Sequence, residues 1–169
     1  MALPHLYPRT PLILGHRGAS AYAPENTLAA FRRSLELGAE GVELDVTLSA
    51  DGVLVVIHDD TVDRTTDGAG RVNGLTLAQL KKLDAGYPAR FGDRFAGERI
   101  PTLEEVFAEL DARAIVNVEL KEDTSPKREL AEKVVQVIHT RGVGGRALLS
   151  SFYYDNLQRA KQLDPALPV

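Results

Sequence analysis

Two apolar runs with only residues 49 to 52 between them constrain this chain more than any other feature. Val42 to Leu48 and Val53 to Ile57 are both of strand length. A parallel crossover needs about a dozen residues or more. The two runs must therefore form an antiparallel hairpin, with Asp51-Gly52 in its turn. A two-residue turn pairs Ala50 with Val53 and, by the same sum, Asp45 with His58.

Short apolar runs alternate with amphipathic segments along the rest of the 169 residues, which marks an α/β protein. Leu12-Ile13-Leu14-Gly15 is apolar on both faces, as a buried parallel strand should be. Asn26 or Thr27 is expected to cap a helix bearing Leu28, Phe31 and Leu35, with Gly38 closing it. Residues 59 to 75 form a long polar loop with three glycines, a length that points to function. Capping boxes at Thr76/Gln79 and Thr102/Glu105 start two helices, and Ile115 to Leu120 is a strand. Ser125-Pro126 opens a helix carrying Leu130, Val134 and Ile138 and ending at Gly142. A strand at Ala147 to Ser151, a short helix from Asp155 and a strand beginning at Leu167-Pro168-Val169 complete the pattern. Polar residues at strand C-termini favour a (β/α) barrel, whose sites gather at that face. Eight strands take about 250 residues, so only about half of such a barrel is expected. An open doubly wound sheet would carry a Gly-rich first turn, and His16-Arg17-Gly18 is not one.

A net charge of −4 provides no basic surface for nucleic acid. The absence of cysteine excludes a disulfide framework and a thiolate zinc site. No apolar run approaches the roughly 18 residues of a membrane span, and Pro4, Pro8 and Arg9 spoil a signal peptide. A cytoplasmic protein without stable membrane insertion is the expectation.

Glu43 and Asp45 stand two apart on a strand whose Val42, Leu44 and Val46 make the other face apolar. Both carboxylates therefore point inward, where bare they would repel, and a hard divalent cation relieves that. Asn117, Glu119 and Lys121 repeat the period on a second strand. Glu119 can complete a three-carboxylate site, and Lys121 can hold a phosphate or simply form an ion pair. His16 ends the first strand and His58 the hairpin, two imidazoles suited to accepting and supplying protons. Arg17 offers a planar fork to phosphate oxygens. His5 lies in the N-terminal arm, and His139 sits in the last turn of a helix. One cation of the Mg²⁺ or Ca²⁺ kind, two histidines, an arginine and a lysine suit a small phosphodiester substrate.

His16-Arg17-Gly18, Pro24-Glu25-Asn26-Thr27, Glu43-Leu44-Asp45-Val46, Ile57-His58-Asp59, Ile100-Pro101-Thr102-Leu103, Val118-Glu119-Leu120-Lys121 and Ser150-Ser151-Phe152 resemble, in order and spacing, the glycerophosphodiester phosphodiesterases. The resemblance implies a TIM barrel of the phospholipase C-like type that hydrolyses glycerophosphodiesters to sn-glycerol 3-phosphate and an alcohol. It implies His16 and His58 as the acid–base pair, Glu43, Asp45 and Glu119 as ligands of Ca²⁺ or Mg²⁺, and Arg17 and Lys121 as phosphate contacts. Residues 1–169 would be a single such domain, with about 59–101 as a short insertion region. The family's later W-T-V-N and T-D-x-P segments have no counterpart, so the chain is expected to be a fragment or poorly active alone. The alternatives are a catalytically incompetent fragment and a lysophospholipid-type, phospholipase D-like phosphodiesterase. The latter needs an exposed apolar surface beside the site, which the sequence does not display.

Overall fold

The computed structural model describes residues 11–110, 112, 114–125 and 129–169; His5 and Pro126 lie outside them. Strands β1 (Leu14–His16), β2 (Gly41–Leu48), β4 (Ile115–Leu120) and β5 (Ala147–Ser150) run parallel in the order β1-β2-β4-β5. The short β3 (Leu54–Val56) lies antiparallel to β2. Helices α1 (Leu28–Glu36), α4 (Leu103–Glu109), α5 (Leu130–Arg141) and α6 (Tyr154–Leu163) accompany the strands, and the short α2 (Leu77–Leu80) and α3 (Pro88–Phe91) fall between β3 and α4.

The apolar pattern decides which face each element hides. Val42, Leu44 and Val46 of β2 and Val116, Val118 and Leu120 of β4 are fully buried with Phe31, Val106, Val134 and Ile138 from three helices. That leaves Glu43, Asp45 and Glu119 together on the opposite face of the sheet, since successive strand residues alternate. A second apolar cluster lies under the segment after β3, where Val55 and Ile57 pack with Val62, Val72, Leu80, Ala85 and Ile100. Val62 and Val72 anchor the polar loop from 59 to 75 in it, and the loop closes on itself through Val62 N–H to Gly70 O at 3.0 Å and Val72 N–H to Asp60 O at 2.9 Å.

Helix starts follow the expected caps, with informative exceptions. Thr27 rather than Asn26 caps α1, its Oγ accepting from the Ala30 N–H. Thr76/Gln79 and Thr102/Glu105 form both predicted capping boxes. The helix expected from Ser125-Pro126 is described as Leu130–Arg141, and Asp123 accepts the Leu130 N–H at 2.8 Å. Gly142 closes it in the left-handed conformation, at φ 64°. Leu167–Val169 is not a regular strand, yet Leu149 of β5 donates its N–H to Pro168 O at 3.0 Å.

The hairpin register differs from the expected one by a residue. Val46 faces Val56 and Leu48 faces Leu54, so Asp45 lies opposite Ile57 and not His58. The loop holds three residues, Ala50, Asp51 and Gly52, between Ser49 and Val53, which bond through Ser49 N–H to Val53 O. Gly52 takes φ 74° and donates to Ser49 O, the arrangement of a turn followed by a glycine bulge. His58 therefore leaves the ladder instead of sitting across from Asp45.

Candidate active site

Parallel register places the acids. β2 and β4 align Asp45 with Glu119 and Glu43 with Asn117, while β1 aligns His16 with Glu43. One carboxylate oxygen from each of Glu43, Asp45 and Glu119 lies within 4.8 Å of the others. Asp45 is buried, and the Glu43 side chain is 12% exposed. Burial first, then the neighbouring Asp45 carboxylate, pushes Glu43 up to about 7. Three acids so placed repel one another, and an oxygen-only donor set at this spacing fits a hard divalent cation.

Two basic side chains lean on the cluster. Lys121 Nζ lies 3.3 Å from Glu119 and 3.5 Å from Asp45. Arg17 donates its backbone N–H to Glu43 Oε2 at 3.0 Å and its Nη1 to Glu25 at 2.9 Å. Its Nε is buried without a hydrogen-bond acceptor, 3.6 Å from Asp45 Oδ2. Arg17 and Gly18 both adopt positive φ, 57° and 80°, which turns the chain sharply beside the acids. Gly18 packs against Ala30 so closely that a Cβ would sit 2.6 Å from backbone.

His16 stands at the mouth of the cluster, its side chain 70% exposed and Nε2 3.8 Å from Glu43. The hydrogen bond of His58 goes to Asp59, Nδ1 to Oδ1 at 2.7 Å, and not to the carboxylate cluster. His139 pairs with Asp164 through Nε2 at 2.9 Å, at the far end of α5.

Sequence reasoning gave Asn26 only a capping part, but its position in the fold is more specific. β1 stops at His16 and β3 pairs β2 only from Val46 onward, so the Asp45 N–H has no strand acceptor. Asn26 Oδ1 accepts that N–H at 3.3 Å, and Asn26 Nδ2 donates to Asp45 Oδ2 at 2.8 Å. Asn26 does this at φ 57°, a region asparagine tolerates better than most residues. Arg64 was also missed; it binds Glu25 and Asp59, across 39 and five residues. An asparagine directly before a helix cap was a readable signal for the first, and nothing local marked the second.

Among the described residues no helix is long and apolar enough to cross a membrane. Aromatic side chains just beyond β5 are exposed to solvent, Phe152 at 89% and Tyr154 at 72%. Asn156, in the first turn of α6, donates to Lys121 O at 2.8 Å.

Residues 16–169 match the glycerophosphoryl diester phosphodiesterase family. The chain belongs to that family. A glycerophosphodiester phosphodiesterase of Caldanaerobacter subterraneus subsp. tengcongensis is 49% identical over 94% of this chain and 65% of its own length. A phosphodiesterase of Oleispira antarctica, solved in complex with the product sn-glycerol-3-phosphate, superposes with a TM-score of 0.85 at 39% identity, covering 95% of this chain and 65% of that one. The glycerophosphodiester phosphodiesterase of Agrobacterium tumefaciens str. C58 gives 0.83 at 40% identity, covering 92% and 64%. This family member thus has the parallel α/β sheet of part of the barrel expected of it and spans about 65% of the length of such relatives.

Proposed function

We propose that this chain contributes the catalytic cluster of a metal-dependent glycerophosphodiester phosphodiesterase. It would hydrolyse a glycerophosphodiester to sn-glycerol 3-phosphate and an alcohol. The supporting observation is the convergence of Glu43, Asp45 and Glu119 from two strands, with Lys121 and Arg17 against them and His16 at the mouth. The three carboxylates would hold one Mg²⁺ or Ca²⁺, which when bound neutralises phosphoryl oxygens as a Lewis acid.

Every other part of the reaction falls to side chains. The Arg17 Nε, buried without an acceptor, and the Lys121 ammonium are donors for the two non-bridging phosphate oxygens. One imidazole removes the proton of the glycerol 2-hydroxyl as its oxygen attacks phosphorus. The other gives a proton to the departing alcohol, leaving a cyclic phosphate. Water then opens the ring with the two proton roles reversed. His58, held through Nδ1 by Asp59, keeps Nε2 for this exchange.

The test is choline release from glycerophosphocholine with and without Mg²⁺ or Ca²⁺, comparing the wild type with His16→Ala and His58→Ala. Each variant should lose about 10²–10⁴ in rate. Equal rates in all three would remove both histidines from the mechanism. The exposed Phe152 and Tyr154 favour a second reading, a lysophospholipid-type phosphodiesterase in which an acyl chain rests on these rings. Faster turnover of lysophosphatidylcholine, lost in Phe152→Ser, would select it.

A further inference from the structure

Arg64 is the most heavily bonded side chain near the site, and neither the hydrolytic mechanism nor the core packing uses it. Its Nε and Nη2 donate to the two oxygens of Asp59, at 2.7 and 3.0 Å. Its Nη1 and Nη2 donate to the two oxygens of Glu25, both at 2.8 Å. The guanidinium also lies 5.6 Å from the centroid of the Tyr87 ring. Each of the two carboxylates has one further partner: Asp59 holds His58 Nδ1 and Glu25 holds Arg17 Nη1. Arg64 thus spans the two arms that approach the acidic cluster, one ending in His58 and the other in Arg17.

We propose that Arg64 is a positioning residue, fixing the proton of His58 on Nδ1 through Asp59 and tying that arm to Arg17 through Glu25. This inference rests on the reading of His58 as a proton-transfer group. The chemistry is directional. An ionised carboxylate only accepts hydrogen bonds, and the Arg64 bonds hold Asp59 well below its usual range, at about 2. The imidazole must therefore donate from Nδ1, which turns Nε2 outward as an acceptor. Only a planar fork reaches both carboxylates with paired bonds; a lysine ammonium is a point donor.

The test reads the tautomer of His58 directly, from long-range proton–nitrogen correlations of isotopically labelled histidine at a pH where the imidazole is neutral. The wild type should carry the proton on Nδ1. Arg64→Met should lower the Nδ1–H to Nε2–H ratio about tenfold, equivalent to about 1.4 kcal/mol. Arg64→Lys should fall between them. His139, bonded to Asp164 through Nε2, should carry its proton there and should not change in either variant. A wild-type His58 protonated on Nε2, or an unchanged ratio in folded Arg64→Met, overturns the proposal. If Arg64→Met does not fold, the wild-type tautomer and Arg64→Lys decide, and an unshifted lysine variant overturns it. The readout needs no turnover, so an inactive chain would count against the hydrolytic reading alone.

Discussion

Replacing Asn26 separates two contributions that meet at one residue. Its amide makes two hydrogen bonds with Asp45, one donated to a carboxylate oxygen and one accepted from a backbone N–H. Net worths of about 1.5–3 kcal/mol for a bond to a charged group and about 0.5–1.5 kcal/mol for a neutral one give about 2–4.5 kcal/mol together. Asn26→Gly removes both bonds but accepts φ 57° without strain. Asn26→Ala removes the same bonds and adds about 1–2 kcal/mol for a Cβ in the left-handed region. Urea denaturation followed by circular dichroism should therefore rank wild type above Gly and Gly above Ala, with unchanged slopes. The same amide orients a proposed cation ligand, so Mg²⁺ or Ca²⁺ affinity by calorimetry should fall about 10–100-fold in both variants. Equal stability of the Gly and Ala variants would refute the conformational half of the argument. Losses below about 0.5 kcal/mol in both would refute the hydrogen-bond half.

Three further outcomes follow from the same structure. Gly41→Ala would place a Cβ 2.0 Å from the Ile115 carbonyl oxygen of β4 and should abolish soluble, folded protein. Gly145→Ala meets nothing within 4 Å and should melt like the wild type. Glu25 and Asp59 are both held at about 2, first by Arg64, so their depressed values stabilise the fold above about pH 4.5 and that stability is lost as pH falls toward 2. Arg64→Met should accordingly move the acid-unfolding midpoint upward in pH, read by fluorescence or circular dichroism. Mg²⁺ or Ca²⁺ at a hundred times its dissociation constant should add about 2.7 kcal/mol in a thermal-shift assay, reversed by chelator. Glu119→Gln should lose most of that gain; an undiminished shift would place the cation elsewhere.

Regular features of this site were legible because they depend on periodicity, and irregular ones were not because they depend on where a strand ends. Glu43, Asp45 and Glu119 were readable from a period of two in strands whose other face is apolar, and the parallel register of β2 and β4 brings them together. The capping boxes at Thr76 and Thr102 were readable because four consecutive residues suffice to close each. The hairpin failed by one residue: Asp51-Gly52 suits both a two-residue turn and the last two positions of a three-residue loop. Ser49 settles the choice, its hydroxyl donating to Asp51 and accepting from Val53 N–H. That single step moved Ile57 opposite Asp45 and its side chain into the second apolar cluster. His58 was thereby released from the ladder into a loop, where a strand can no longer orient it. Its orientation then has to come from hydrogen bonds, and the Asp59–Arg64–Glu25 series supplies them from residues up to 39 positions apart. The Asp45 N–H, left without a strand acceptor by the same break, is met by Asn26. Asn26 and Arg64 thus compensate one interruption of the sheet, the gap beside Asp45 between the last residue of β1 and the last residue of β3.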